Sequence, residues 1–231
     1  MMERKSDDRG IRWYTIASGA QLPSVTSILH NFLPEPPALT AWKARPHADE
    51  ELKWLATIGT IVHYRIANGF AEGFHLPPMD LELDNDAPPL DDYLIIDVNR
   101  AMMSFAMMMM EHELIPSIVE HPTWHQTMMY AGTIDFLGNL DGVPSLIDFK
   151  TSRQVRDSHR AQVVAYKKAI LSHPNPRFKP QQAVVITIPP GTDFTVEIVK
   201  DEDAAWDTFW TAFDNFQKAH RPKERWITAK G

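Results

Sequence analysis

The sequence predicts a mixed α/β (α+β) fold: a central mixed β-sheet flanked by helices, preceded by a mainly helical N-terminal portion. Three observations carry this. Helical patterning dominates residues 22–115, and strand patterning takes over from Ser117. Asp141-Gly142, a strong two-residue hairpin signal, joins two alternating runs. A helical stretch then separates that hairpin from two further strands and a last helix.

Each element has its local signal. Leu22-Pro23-Ser24-Val25-Thr26 opens a short helix that Ser24 or Thr26 can cap and that runs through Leu29, stopping near Pro34. A second helix spans Ala38 to Arg45 and ends before Pro46. Glu50 to Phe74 reads as a longer helix with a possible break at Gly59. Residues 76–90, rich in Pro and Asp, read as a loop. Tyr93 to Leu114 is a strong helix whose methionines, Met102, Met103 and Met107 to Met110, suit irregular packing. His121 to Tyr130, Ala131 to Leu140 and Val143 to Phe149 are β-like, and Ser158 to Leu171 is helical. Gln182 to Ile188 and Phe194 to Val199 are strands around the Pro189-Pro190-Gly191 turn. Asp201 caps a last helix to about His220, with Trp206, Phe209, Trp210 and Phe213 on its apolar side.

The 231 residues suit a single domain, 1–231, with 22–115 as the helical portion and 117–220 as the α/β core. With no Cys, the chain can hold neither disulfides nor a cysteine-ligated iron–sulfur cluster. Met1 to Gly10 is polar and mixed in charge, unlike a signal or transit peptide. No apolar run approaches the ~20 residues that span a bilayer. A cytoplasmic setting without membrane attachment is therefore expected.

The net charge of −7 is unevenly distributed. Lys150 to Pro180 carries eight Lys and Arg against Asp157 alone, while Asp80 to Asp92 carries six acids and no Lys or Arg. A local basic patch can attract phosphate despite distant acids, because screening limits their reach. Solvated surface accounts for the acidic run.

The hairpin gives the chemistry. With Asp141-Gly142 at the turn, Leu140 pairs with Val143 and Asp135 lies opposite Asp148. Ile134, Phe136, Ile147 and Phe149 then point to an apolar face, and Asp135, Asp148 and Lys150 to the opposite one. Pro144 implies an edge position or a bulge near the turn. Two carboxylates about 5 Å apart at Cβ repel, and a divalent cation offsets that repulsion. Lys150 can orient or activate a water, or stabilise charge on a phosphate. A solvent-facing strand with an Asp–Lys ion pair is the plainer alternative.

Gly132-Thr133-Ile134-Asp135, Ile147-Asp148-Phe149-Lys150-Thr151-Ser152 and Gln162-Val163-Val164-Ala165-Tyr166 together resemble the RecB-like branch of the PD-(D/E)XK nucleases. Upstream, Gly59-Thr60-Ile61-Val62-His63 is similar to that branch's helical histidine motif. Leu22 to Leu29 and Ala41-Trp42-Lys43 look like the N-terminal segments of the mitochondrial genome-maintenance exonucleases within it. The ordered likeness runs from about Leu22 to Ala169.

The resemblance implies Mg²⁺ or Mn²⁺ held by Asp135, Asp148, the Phe149 carbonyl and His63, with Lys150 as the catalytic lysine. It places Gln162 and Tyr166 beside the metal and Glu120 as an acid before the central strands. Ser24 and Thr26, otherwise helix caps, become phosphate contacts. Thr151, Ser152, Arg153, Arg156 and Arg160 follow the catalytic strand and could meet the DNA backbone. The missing cysteines set the chain apart from CRISPR-associated relatives that carry a cluster. The expected activity is a metal-dependent exonuclease on single-stranded DNA ends, in repair, recombination or replication. An endonuclease or double-strand exonuclease on the same site, or a non-catalytic DNA-binding module, are the alternatives.

Overall fold

The computed structural model describes residues 2–7, 10–72, 88, 91–191 and 193–220. A small antiparallel sheet comes first, of β1 (Glu3–Ser6), β2 (Arg12–Thr15) and β3 (Gln21–Pro23). Helices α1 (Val25–Phe32), α2 (Pro37–Lys43), α3 (Ala48–Glu72) and α4 (Asp92–Glu111) follow. Five strands then line up in chain order: β4 (Leu114–Trp124), β5 (Ala131–Leu140), β6 (Val143–Lys150), β7 (Gln182–Thr187) and β8 (Thr195–Ile198). Helix α5 (Asp157–Leu171) crosses from β6 to β7, which pair in parallel; the other neighbours are antiparallel. A parallel pair needs such a crossover. Helix α6 (Glu202–His220) follows the sheet. This is the mixed sheet flanked by helices that the sequence predicts. Among the described residues no helix is long and apolar enough to cross a membrane.

Several local signals act as expected. The Ser24 hydroxyl caps α1 by accepting from Ser27 N at 3.2 Å. Asp91 and Asp201 cap α4 and α6 through Leu94 N and Ala204 N, each at 2.9 Å. The Asp141-Gly142 turn has φ of 50° and 78°, the left-handed pair that this hairpin needs. Asp141 also ties the turn to the end of α4. Its Oδ1 accepts from Glu113 N at 2.8 Å, and its Oδ2 lies 2.7 Å from His112 Nδ1.

Four expectations change. Pro144 introduces no shift: β5 and β6 pair in one register from Leu140↔Val143 to Phe136↔Ile147. Nor does β6 lie at an edge, since β7 pairs with it from Ser145 onward. Pro144 stands one step in from the turn, where an antiparallel ladder does not ask it for a donor toward β5. Helix α3 runs unbroken through Gly59. Ile58, Ile61 and Val62 are buried beside it, and packing overrides propensity there. Strand β4 begins at Leu114 rather than His121 and runs through Pro116 and Pro122, which an edge strand tolerates. On α6, Phe209, Phe213 and Phe216 form the buried stripe, while Trp210 lies 100° round the helix from Phe209 and is 46% exposed. The predicted loop at 76–90 lies outside the described residues apart from Pro88.

Both faces of the sheet are cores. Leu137, Leu146, Ala183 and Val185 pack under α1, α5 and α6, against Val25, Tyr166 and Phe209. Phe136, Ile147, Phe149 and Ile186 pack under α3 and α4, against Val62, Leu94, Phe105 and Met108. Met108 is buried, while Met103 and Met110 stay exposed. The acid-bearing face is therefore no open surface: Asp148 shares it with Leu146 and is 1% exposed.

Candidate metal centre

The site forms where the hairpin frays. The β5–β6 ladder ends at Phe136↔Ile147, one step before Asp135 would meet Asp148. On the other side, Val119↔Phe136 and His121↔Ile134 bracket Glu120 opposite Asp135. Glu120, Asp135 and Asp148 thus stand in one row across β4, β5 and β6. Glu120 has φ of 46°, a left-handed conformation that interrupts its strand pairing. Asp135 Oδ2 accepts from Phe149 N at 2.9 Å, so a carboxylate takes the rung that β5 main chain would have filled. Lys150 O accepts from Ile188 N at 2.7 Å on the β7 side. Alternation along the strand therefore turns the Phe149 carbonyl toward β5, beyond the last rung.

Helix α3 brings His63 over this row. Its Nδ1 lies 3.3 Å from Asp135 Oδ1 and 4.0 Å from Glu120 Oε1. Ligand atoms of His63, Glu120 and Asp135 all fall within 4.8 Å of one another, and Asp148 stands outside that trio. Asp148 is held by two other groups. Lys150 Nζ is 2.7 Å from its Oδ2, and Gln162 Nε2 donates to its Oδ1 at 3.0 Å. Gln162 also donates to Tyr166 OH at 3.3 Å, and Thr26 Oγ1 lies 3.4 Å from that hydroxyl. The Tyr166 ring seats against Gly132, where any Cβ would lie 2.3 Å from its Cε1. Gly132 is therefore required by close approach.

Burial and crowding set the charges. Burial, then the Asp135 carboxylate, push Glu120 up to about 7. Asp148 rises to about 6, driven by burial and resisted by Lys150. Burial also works against charge on Asp135, yet His63 outweighs it and holds the pKa below the ordinary range. Burial disfavours a charged His63 as well, but Asp135 wins and raises its pKa. Lys150 follows the same pattern: burial opposes the ammonium, while Asp148 and Asp135 keep its pKa above the usual lysine value. Without an ion beside these carboxylates, the Lys150 ammonium is held charged.

Glu120→Gln tests this crowding. A raised pKa means that the Glu120 proton stabilises the fold fully below its ordinary 4.5, a contribution lost as pH rises through about 7. The amide removes the charge. In EDTA, Tm is expected to rise at pH 8 by roughly 2–4 °C, about 1 kcal/mol after solvent screening, and by much less at pH 5. Equal shifts at both pH values in thermal unfolding would count against the crowding.

The residues fit a hard divalent cation. Asp148 Oδ2 is buried and accepts no hydrogen bond of regular geometry from the described residues; its neighbour is the Lys150 ammonium. Three carboxylates, an imidazole and a main-chain oxygen suit Mg²⁺ or Mn²⁺. Glu120 enters this set more centrally than the sequence suggested.

The basic run is thinner than its composition implied. Arg160 forms a bidentate pair with Glu197, at 2.5 and 3.0 Å, and also meets Asp157 at 2.8 Å, so it is no open DNA contact. Lys167 is buried on Gln181 O and Glu202. Ser24 is 1% exposed and spent on its cap. Arg153 and Arg156 are exposed, while Thr151 and Ser152 are half-buried just past Lys150. Sequence reasoning missed Thr187, which pairs with Lys150 across β6–β7 and buries a hydroxyl that has no hydrogen-bond partner among the described residues. The run Gln182 to Ile188 gave its strand but no reason to single it out. No protein-family model matches the chain, and no curated protein matches its sequence.

Proposed function

We propose that this chain is a divalent-metal-dependent DNA exonuclease that hydrolyses phosphodiester bonds, preferring single-stranded ends, in the manner of the RecB-like PD-(D/E)XK nucleases that its motifs resemble. One observation carries the reading: the row of Glu120, Asp135 and Asp148 at the frayed hairpin, with His63 above it and Lys150 beside it. His63, Glu120, Asp135, Asp148 and the Phe149 carbonyl would hold Mg²⁺ or Mn²⁺. When bound, such an ion lowers the pKa of a water and polarises a phosphate oxygen. Lys150 donates a hydrogen bond to the attacking water and offsets charge on the phosphate. Gln162 and Tyr166, four apart on one face of α5, fix Asp148 and border the path of the strand. Arg153 and Arg156 meet backbone phosphates, which gives affinity without base readout.

The test is cleavage of end-labelled linear single-stranded DNA with Mg²⁺ or Mn²⁺, beside duplex, circular and EDTA controls. Degradation of linear strands only with metal, abolished in Asp148→Ala, is the expected result. Cutting of circles would make the protein an endonuclease. DNA binding without cleavage in either metal would make it a non-catalytic binding module.

A further inference from the structure

We propose that the groove between α1, α2 and the N-terminus of α5 seats one unpaired nucleotide next to the cleaved bond. The inference rests on the nuclease reading above. The groove holds about 280 Å³. Small-ligand pockets start near about 300 Å³, so the space is close to that of a single nucleotide unit. Gln162 lines it, and the Gln162 amide donates to Asp148, so a single side chain separates the groove from the acidic row.

The lining matches a nucleotide's two halves. Leu29, Leu33, Leu39 and Leu52 give an aliphatic slot for the flat face of a base. Aliphatic walls carry no hydrogen-bond pattern, so every base is accepted. Arg156 and Ser158, at the first turn of α5, form the polar rim. Arg156 is exposed and has no carboxylate partner among the described residues. It stands where free amides of a helix start also favour an anion. On the facing rim the Glu35 carboxylate is paired with Lys43, and His30 lies nearby, so the rim as a whole does not repel phosphate. A base inside a duplex would have to leave its stack to enter, at a cost of a few kcal/mol. Single-strand preference then arises in this slot.

Leu39→Trp, at a half-buried position of α2 that lines the groove, fills the slot. Its kcat/KM on linear single-stranded DNA is expected to fall about tenfold or more. Mn²⁺-dependent hydrolysis of bis(p-nitrophenyl) phosphate, too small to need the slot, is expected to be unchanged. A second arm uses the unaltered protein and a strand with one abasic residue at the position beside the scissile bond. That strand should lose a similar factor, and Leu39→Trp should add no further loss on it. Unchanged DNA cleavage by Leu39→Trp, or no abasic penalty, overturns the slot while leaving the nuclease reading intact. If the unaltered protein hydrolyses neither DNA nor the small diester, both fall together.

Discussion

Lys150→Ala is expected to bind single-stranded DNA and to lose metal-dependent cleavage by about 10²–10³-fold or more, the usual cost of removing a charge-stabilising donor. Binding is expected to persist because Arg153 and Arg156 are exposed and, on the proposed reading, it is they that meet backbone phosphates. The variant also strips Asp148 of its ion-pair partner at a site 1% exposed. Breaking a buried pair from one side can cost about 3–5 kcal/mol. Two features lower that cost here. Asp148 keeps the Gln162 hydrogen bond, and its pKa already stands at about 6, so it can take up a proton. Lys150→Ala should therefore be less destabilised at pH 5.5 than at pH 8. Single-turnover rates, anisotropy with labelled strands and Tm at both pH values separate chemistry from folding. Full activity in a folded variant would sink the assigned role of Lys150.

Gly138→Ala is expected to give the largest stability loss of any single methyl added to the sheet. A Cβ at Gly138 would lie 2.2 Å from the Ile115 carbonyl oxygen and 2.9 Å from the Phe136 ring. The first contact is main chain, so no rotamer relieves it. It sits beside the register shift between Pro116 and Ile118, where β4 already departs from regular pairing. Overpacking typically costs about 1–3 kcal/mol and more when backbone must move. We expect about 3 kcal/mol or more, near 6–12 °C in Tm for a chain of this size. Because β4 carries Glu120, metal affinity should fall with stability. Denaturant unfolding measures the first and calorimetry with Mn²⁺ the second; a Tm within 2 °C of the parent would contradict the clash.

Much of the sheet and the core of the site was legible because period-2 alternation and a two-residue turn leave little freedom. Leu140↔Val143 fixes every later pair, and the ladder keeps that register to its end at Phe136↔Ile147. Gln162 and Tyr166 were legible as a helix pair and meet through a hydrogen bond at Asp148's side. Contacts set by three-dimensional closure were not legible. Nothing in the run around Arg160 shows that Glu197, 37 residues away, takes its guanidinium. Nothing in the alternation around Asp148 shows that α5 covers its face. The β1–β2–β3 sheet escaped notice because strands of three or four residues carry almost no periodicity. Its sequence marks are the turns at Gly10 and Gly19, with φ of 74° and 83°.

The early end of the β5–β6 ladder has a meaning beyond pairing. Inside a sheet every main-chain oxygen is already engaged, so a regular hairpin offers an ion nothing but side chains. By parting one rung before the acids meet, this hairpin leaves the Phe149 carbonyl beyond its last paired rung and lets Asp135 stand in for a neighbouring strand. The candidate centre is thus shaped as much by where strand pairing stops as by which residues are present. Zipping the two strands together by one further rung would extinguish it with every acid, the histidine and the lysine still in place.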